Sequence, residues 1–245
     1  MAKKALITAA AGGIGAAIAR RARQEGYEVT ISDIDREGGE RLAVETGMTF
    51  IPCDLGSEAD ILAMIEQVGV VDLLVNNGGI AGPTTPVAEL STEDWNKVFA
   101  INMTATFIAC REMVRLMKPA GGGSIVNMAS VAAKIGYPNR AAYAASKRAI
   151  LGFTASLARE VGTGGIRVTA VLPGTVRGDR VERVIASFAE ANKISVEEAR
   201  QSYLKRQATG KLVEPEEIAA LVLFLGSDAA RSITAESISI DGGFE

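Results

Sequence analysis

Short apolar runs alternate with longer amphipathic segments along this chain. Runs with the length of strands cover residues 4–10, 27–33, 48–54, 71–77, 123–130, 166–174 and 236–243. The segments between them carry apolar residues at helical spacing. Strands that are apolar throughout are typical of parallel sheets covered by helices on both faces. The pattern therefore predicts an α/β fold with a doubly wound parallel sheet.

Polar or glycine-bearing turns follow six of these runs. They are the segment 8–15, Asp33, the segment 53–55, the segment 76–79, Ser130 and Pro173-Gly174. In a doubly wound sheet the carboxyl ends of the strands share one edge, and ligands bind there. Because no repeat, linker or shift of composition interrupts the chain, we expect a single domain over 1–245 with one site at that edge.

The composition removes several classes of chemistry. The chain has 245 residues, 48% of them hydrophobic, with two cysteines and no histidine. Without histidine, Ser-His-Asp catalysis, Cys-His catalysis and His-ligated zinc sites are excluded. Cys53 and Cys110 are too few for a structural zinc site or a disulfide framework, so we predict no metal and a reducing, cytoplasmic setting.

Charge and hydropathy narrow the choice of partner. The formal net charge is −3 and the pI is about 5.3, so the chain lacks the basic field that favours nucleic acid or anionic lipid. Glycines and arginines interrupt the apolar N-terminal stretch, and no segment has the pattern of a signal peptide or a membrane span. We therefore expect a small-molecule partner, with no nucleic acid and no membrane.

The glycine-rich segment TAAAGGIG at 8–15 lies between a predicted strand and a predicted helix. Glycine at such a turn lets the backbone approach a pyrophosphate, and the amino end of the helix supplies unpaired N–H donors. Gly13 and Gly15 are the glycines that serve this purpose. The turn alone is weak evidence, because it also serves to pack a helix tightly on a sheet.

An acidic residue at the end of the second strand strengthens this interpretation. Asp33 is placed to accept hydrogen bonds from the adenosine ribose hydroxyls, and its charge would repel a 2′-phosphate. Gly12 adds no basic side chain to the turn. NAD is therefore favoured over NADP. Two alternatives stay open, since Asp35 also fits the acidic position and Arg36 weakens the preference.

The segment YAASK at 143–147 lies in an alanine-rich stretch with strong helical propensity. Tyr143 and Lys147 are four residues apart and share one face of that helix. A tyrosine hydroxyl acts as a base near neutral pH when a positive charge stabilises its phenolate, and a lysine ammonium at this spacing supplies that charge. The spacing is common by chance, so the pair gains meaning only with further residues.

Ser130 at a strand end and Asn102 in the segment WNKVFAINMTATF supply those residues. With them, essentially the whole chain resembles the classical short-chain dehydrogenase/reductase family, which has a Rossmann-like fold. Its TGxxxGxG, NNAG, PG and DGG motifs match residues 8–15, 76–79, 173–174 and 241–243. Its Asn-Ser-Tyr-Lys tetrad falls on Asn102, Ser130, Tyr143 and Lys147.

The resemblance implies an NAD(P)-dependent oxidoreductase that transfers a hydride between the nicotinamide and a secondary alcohol or ketone. Tyr143 would be the acid/base, and Ser130 would bind the substrate oxygen. Lys147 would hold the nicotinamide ribose and favour the phenolate, and Asn102 would position a water in a proton relay. Cofactor contacts are implied for Thr8, Gly13, Ile14, Gly15, Asp33, Asp54, Leu55, Asn76, Tyr143, Lys147, Pro173, Gly174 and Val176.

Three positions depart from the family pattern. Ala9 stands where the family has its first glycine, and we expect its backbone to keep a negative φ. NNGG replaces NNAG at 76–79, which would loosen that turn. Gly178 replaces a threonine, which would remove a hydrogen bond to the carboxamide or phosphate region of the cofactor.

In the family, the segment that corresponds to 176–212 covers the substrate. A narrower similarity to enzymes of 3-hydroxybutyrate or 4-oxoproline indicates a small hydroxy or oxo acid, whose carboxylate would pair with Arg140, Arg183 and Arg206. The alternative is that the arginines of 176–212 form solvated helix faces with Glu182, Glu197 and Glu198.

Two other functions remain as alternatives. An NADPH-dependent 3-oxoacyl-carrier-protein reductase is one, although Asp33 and Gly12 are adverse to it. A dinucleotide-binding regulator without catalysis is the other, although the complete tetrad argues against it. The resemblance also implies a homotetramer, with helices around 95–118 and 143–161 forming one interface.

Overall fold

The computed structural model describes residues 2–244. Its strands are β1 (Lys4–Thr8), β2 (Glu28–Asp33), β3 (Thr49–Pro52), β4 (Leu73–Asn76), β5 (Gly123–Met128), β6 (Ile166–Pro173) and β7 (Ser237–Ile240). Its α-helices are α1 (Gly13–Gln24), α2 (Arg36–Thr46), α3 (Glu58–Val68), α4 (Thr92–Phe99), α5 (Ala105–Ala120), α6 (Ala141–Val161), α7 (Asp179–Asn192), α8 (Val196–Leu204) and α9 (Pro215–Gly226). Each predicted strand is present, and each is confirmed with somewhat shorter ends.

All seven strands form one parallel sheet in the order β3-β2-β1-β4-β5-β6-β7. The order runs outward from β1 to β3 and then returns to place β4 on the other side of β1. This confirms the doubly wound α/β prediction. The switch point of the sheet lies between β1 and β4, where the carboxyl ends of the strands diverge and leave room for a ligand.

The sheet is buried on both faces. On one face, α1 and α9 pack together over a core that includes Ile18 and Val222. On the other, α3, α5 and α6 contribute to a core that includes Met113 and Met117. Ile7 and Leu74 are fully buried within the central strands, which explains why these strands are apolar throughout rather than alternating.

Local sequence signals set several helix ends. Asp35 precedes α2, and its side chain accepts a hydrogen bond from the Gly38 N–H, which satisfies one of the unpaired donors of the first turn. Gly47 ends the same helix with a φ of 69°, a conformation that glycine adopts without steric cost. Gly47 therefore ends α2 without strain.

Arg167 on β6 holds the carboxyl end of α9. Its guanidinium donates to the carbonyl oxygens of Leu225 (2.6 Å), Ser227 (3.0 Å) and Ile233 (3.4 Å). Burial lowers the pKa of this arginine, but the guanidinium stays charged because its ordinary pKa is so high. None of the helices within residues 2–244 combines the length and the hydropathy that a membrane-spanning segment needs.

Candidate active site

A cavity of about 530 Å³ opens at the carboxyl edge of the sheet. Residues that follow four of the strands line this cavity. They are Ala9 after β1, Asn77 after β4, Ser130 after β5 and Gly174 after β6. Because β1 and β4 flank the switch point, this is where a doubly wound sheet binds its ligand. The structure thus brings together turns that lie far apart in the sequence.

The glycine-rich turn forms one end of the cavity. A Cβ atom at Gly12 or Gly13 would meet nothing within 4 Å, whereas one at Gly15 would lie 2.5 Å from the Ala9 carbonyl oxygen. Gly15 therefore lets α1 pack closely on the turn, and Gly13 leaves open space in front of the first amides of α1. Those amides have no partner within the helix and carry its partial positive charge. This open cradle fits the pyrophosphate of a dinucleotide.

Ala9 departs from the expectation made for it. Its φ is 52°, so the prediction of a negative φ is wrong. The next residue, Ala10, donates its N–H to the Ser32 carbonyl oxygen on β2 at 3.0 Å. The Asn77 side chain holds the strained residue by donating to the Ala9 carbonyl oxygen at 2.8 Å. An alanine in this conformation costs about 1–2 kcal/mol.

The two acidic candidates at the end of β2 have different environments. Asp33 is half-buried, and its carboxylate accepts from the backbone N–H groups of Ala11 (2.9 Å) and Asp35 (3.0 Å). Its charge is thereby fixed beside the glycine-rich turn. Asp35 instead caps α2, and the exposed Arg36 begins that helix.

Thr8 lies beneath the turn and joins it to the NNGG segment. It is 2% exposed, and its Oγ accepts from the backbone N–H groups of Asn77 (3.1 Å) and Gly78 (3.3 Å). A Cβ atom at Gly78 would overlap the side chain of Leu55. The side chain of Leu55 therefore occupies the space that the methyl group of the family's alanine would take at position 78. The NNGG turn is thus closely packed and not loosened.

Asn76 points into the core instead of the cavity. Its amide donates to Asn127 Oδ1 (2.9 Å) and to Cys110 Sγ (3.2 Å), and Asn127 in turn donates to Thr154 (3.0 Å). All four residues are buried. Burial raises the pKa of the Cys110 thiol to about 12, although its hydrogen bonds with Asn76, which donates to it, and with Asn127, which accepts from it, oppose the rise. The neighbouring Asn77, which sequence reasoning did not single out, is the asparagine that lines the cavity.

The serine, tyrosine and lysine of the predicted tetrad line the same cavity. Tyr143 and Lys147 lie one turn apart on α6, which confirms their shared helix face. Lys147 is 4% exposed, and its Nζ donates to the Met128 carbonyl oxygen at 2.8 Å. Ser130 is half-buried, and its Oγ accepts from the Ala132 N–H at 3.2 Å.

Asn102 occupies a π-helical turn, Ala100–Thr104, that separates α4 from α5, where the sequence predicted one continuous helix. Its Oδ1 accepts from the Ile80 N–H at 2.7 Å, and its Nδ2 donates to the Ile80 carbonyl (2.9 Å) and to Ser146 Oγ (2.9 Å). Ser146 donates onward to the Tyr143 carbonyl at 2.8 Å.

Gly79 lies beside both Lys147 and Asn102. A Cβ atom at Gly79 would lie 3.0 Å from Lys147 Nζ and 3.1 Å from Asn102 Oδ1, so a glycine there gives these two groups room.

Only some of the other predicted cofactor-binding residues line the cavity. Ile14, Pro173, Gly174 and Val176 line it. Asp54 is exposed, and its side chain accepts from the Gly56 N–H at 2.7 Å.

Of the three predicted substrate arginines, which all lie in the described part of the chain, Arg140 alone lines this cavity. Arg183 is exposed on α7 and lies outside the lining residues. Arg206 is also exposed, and its guanidinium stacks on the ring of Phe244. Another arginine of this segment, Arg200 on α8, pairs with Glu182 on α7, one of the glutamates that the alternative interpretation names.

Three aromatic residues of the cavity wall escaped the sequence interpretation. They are Tyr137, Tyr203 and Phe244. Tyr203 packs edge-on against Phe188 with the ring centroids 5.6 Å apart, and burial raises its pKa. The only sequence signal for Phe244 was the pair of glycines that precedes it, which indicated a turn but not where the turn leads.

Comparisons with known proteins agree with this geometry. A family model described as enoyl-(acyl carrier protein) reductase matches residues 9–245. The chain is 38% identical to a D-threitol dehydrogenase of Mycolicibacterium smegmatis, over 99% of this chain and 92% of that protein. It is 35% identical to the 3-oxoacyl-(acyl-carrier-protein) reductase FabG of Rickettsia felis, over 98% of this chain and 96% of that one.

A solved structure of similar shape is that of a variant of actinorhodin polyketide ketoreductase with NADPH. It shares 35% identity with a TM-score of 0.92, covering 99% of this chain and 97% of the other. A family match over nearly the whole chain, together with relatives of this identity, decides the assignment. The chain belongs to the classical short-chain dehydrogenase/reductase family and is an oxidoreductase that acts on CH–OH groups.

Proposed function

We propose that this chain is an NAD-dependent dehydrogenase/reductase of a small hydroxy or oxo acid. One observation carries the proposal: Ser130, Tyr143 and Lys147 line a single cavity that continues to the open glycine-rich turn. A dinucleotide bound along that cavity would supply or accept a hydride at the nicotinamide C4. The substrate would then lie between the nicotinamide and the tetrad.

The roles of the chain's own residues follow from their chemistry. In the oxidative direction Tyr143 takes the proton of the substrate hydroxyl, and in the reductive direction it returns that proton. The hydroxyl of Ser130 donates a hydrogen bond to the substrate oxygen. Lys147 holds the ribose and stabilises the phenolate form by its positive charge. Asn102 holds the turn of α6 that carries Tyr143, through Ser146, and positions the water of a proton relay.

The preference for NAD rests on the charge near the glycine-rich turn. Asp33 presents a fixed carboxylate there, and Gly12 offers no cation to a 2′-phosphate. The cofactor contacts would otherwise be those of residues 8–15, with Asp54 and Leu55 on the adenosine side and residues 173–176 on the nicotinamide side. The NADPH in the similar ketoreductase structure makes NADP the alternative to be tested.

The acid substrate rests on Arg140. Its side chain lines the cavity one turn before Tyr143, where a guanidinium would bind a carboxylate in a bidentate manner. Arg206 would contribute from the rim. The segment 176–212 would cover the substrate, and this agrees with the contribution of Val181, Val184 and Tyr203 to the cavity wall.

A panel of hydroxy acids, polyols and cyclic alcohols, followed by NADH absorbance with NAD and with NADP, tests the proposal. We expect NAD-dependent turnover that Tyr143→Phe lowers by at least about 1,000-fold, because the proton acceptor is lost. NADH fluorescence should show nearly unchanged cofactor binding in that variant. Arg140→Ala should raise KM for acids far more than KM for neutral alcohols. Tighter binding of NADP than of NAD would contradict the cofactor assignment, and equal KM effects would contradict the acid.

The 3-oxoacyl-carrier-protein reductase is the second candidate, favoured by the similarity to the Rickettsia felis enzyme. Reduction of an acetoacetyl thioester with NADPH, at a rate above that of the panel alcohols, would favour it. A non-catalytic regulator would bind NADH and turn over nothing.

The assembly and setting are also proposals. A homotetramer would use the faces around 95–118 and 143–161, where Phe107 is 41% exposed and packs edge-on against Phe153. Both cysteines are buried free thiols, which fits a reducing cytoplasm. Light scattering after gel filtration would measure the mass of the assembly.

A further inference from the structure

The Asp241-Gly242-Gly243 motif forms a tight turn after β7. Gly242 and Gly243 have φ values of 66° and 71°. A Cβ atom at Gly242 would lie 2.5 Å from Thr209 Oγ1, and one at Gly243 would lie 2.9 Å from Ala208 Cβ. Both the conformation and the lack of space therefore require glycine at the two positions.

This turn is fastened to the segment that follows α8. Ala208 donates its N–H to the Gly243 carbonyl (3.1 Å), and Thr209 donates to the Gly242 carbonyl (3.0 Å). Asp241 closes the turn by accepting from the Gly243 N–H at 2.9 Å. On the other side, a Cβ atom at Gly174 would lie 2.7 Å from Asp241 Cα. The motif is thus clamped between the turn after β6 and residues 207–209.

The clamped turn places Phe244 in the wall of the cavity. Phe244 forms an antiparallel bridge with Gln207, and it lines the same cavity as Tyr143 and Ser130. The guanidinium carbon of Arg206 lies 4.5 Å from the centroid of the Phe244 ring, a distance typical of a cation–π contact. The ring is therefore held by both its backbone and its face.

Apolar and aromatic side chains of two helices line the same cavity as Phe244. Val181, Val184 and Tyr203 reach the cavity from α7 and α8, and Tyr203 is itself held by Phe188. These α7 and α8 residues and the clamped Phe244 enclose the space in which a substrate would extend from the tetrad. A rigid aromatic ring at such a position discriminates between substrates by volume, because a packed wall yields little.

We propose that Phe244 is a specificity-determining residue that packs against the apolar body of the substrate and limits its bulk. The Asp-Gly-Gly turn and Arg206 fix its position. Within the proposed class of small hydroxy and oxo acids, the preferred substrate is accordingly compact, with an apolar ring or branch beside the carbinol carbon. This inference rests on the proposed alcohol/ketone oxidoreductase function.

The test compares cyclohexanol with the bulkier 4-tert-butylcyclohexanol in the wild type, Phe244→Ala and Phe244→Trp. We expect the ratio of kcat/KM, bulky over compact, to rise at least about ten-fold in Phe244→Ala and to fall in Phe244→Trp. Phe224→Ala is the matched control, because Phe224 is exposed on α9 and lies outside the lining residues. NADH binding, measured by fluorescence, should stay within about two-fold in all variants and would show that they are folded.

A second measurement separates this inference from the proposed function. Calorimetry gives the affinities of the two corresponding ketones for the NADH-loaded protein without any need for turnover. A bulky-to-compact ratio that does not follow the volume of residue 244, in turnover or in binding, would overturn the inference. If the wild type oxidised no alcohol, the proposed function would fail, and the binding series would still decide the role of Phe244.

Discussion

Ala9 carries a side chain in a conformation that glycine adopts at no steric cost, with a φ of 52°. Ala9→Gly should relieve about 1–2 kcal/mol of strain, against about 0.4–1 kcal/mol of added entropy in the unfolded chain. The free energy of unfolding in urea should therefore stay unchanged or rise. Ala17→Gly in α1 is the matched control and should cost about 1 kcal/mol. An equal loss in both variants would show that Ala9 is not strained.

Asp33 and Asp35 differ in what their carboxylates do, and this difference is testable. Asp33→Asn removes the charge beside the glycine-rich turn but keeps the side-chain shape, so the Kd ratio of NADPH to NADH should fall at least about ten-fold. Asp35→Asn keeps a good helix cap and should leave the ratio unchanged. Fluorescence titration of both reduced cofactors measures it. If the Kd ratio fell in Asp35→Asn alone, Asp35 and not Asp33 would be the residue that discriminates against the 2′-phosphate.

The side chains of the site were predictable to different extents. The spacing of Tyr143 and Lys147 determined their common helix face, because helical geometry is regular. Asn76 and Asn77 are adjacent residues of the same type, and only the end of β4 decides which of them faces the core. A left-handed alanine at position 9 could not be expected from sequence, since the partners of its turn, Ser32 on β2 and Asn77 after β4, are distant in sequence and their hydrogen bonds outweigh local preference.

Helix α9 depends on a side chain from the neighbouring strand. Arg167 donates to three carbonyl groups at and beyond the end of this helix. Arg167→Lys keeps the charge but loses the planar fork, so we expect about 2 kcal/mol less free energy of unfolding. Arg159→Lys is the control, because Arg159 is exposed and donates to the Ala155 carbonyl of its own helix. Equal urea midpoints for the two variants would show that the fork contributes nothing.

Elements with a strong period were predicted well, and irregular ones were not. The seven strands follow directly from hydrophobic patterning, and the helix that carries Tyr143 and Lys147 follows from its alanine-rich composition. The π-helical turn at Ala100–Thr104 was not predictable, because the Asn102 side chain in it accepts from the Ile80 N–H and donates to the Ile80 carbonyl and to Ser146. These partners are distant in sequence. The same holds for Phe244, whose place depends on hydrogen bonds to residues 208 and 209.

The two cysteine thiols both lie in the core on one face of the sheet. Their reactivity therefore measures whether the folded molecule keeps that core closed. Burial raises the pKa of Cys53 and of Cys110 to about 12. Ellman's reagent at pH 8 should therefore label the native chain at least about 100-fold more slowly than the chain in guanidinium, since thiolate is the reactive form. Rapid labelling of one thiol in the native protein would contradict this.

The same raised pKa values determine how the free energy of unfolding changes at alkaline pH. A thiol whose pKa is higher in the folded state contributes its full stability below its ordinary pKa of about 9 and loses it as the pH rises toward 12. The free energy of unfolding should therefore fall above about pH 9. Replacing both cysteines with alanine should flatten that part of the pH profile at some cost in packing.

The position of β1 between β2 and β4 has a consequence for how the enzyme acquires activity. The chain must complete β1, β2 and β3 before it returns to lay β4 against β1, and the cavity wall needs residues from 9 to 244. Parallel sheets with such distant pairings fold slowly. Catalytic activity should therefore recover late during refolding, in step with closure of the whole sheet, and no fragment of the chain is expected to regain part of it.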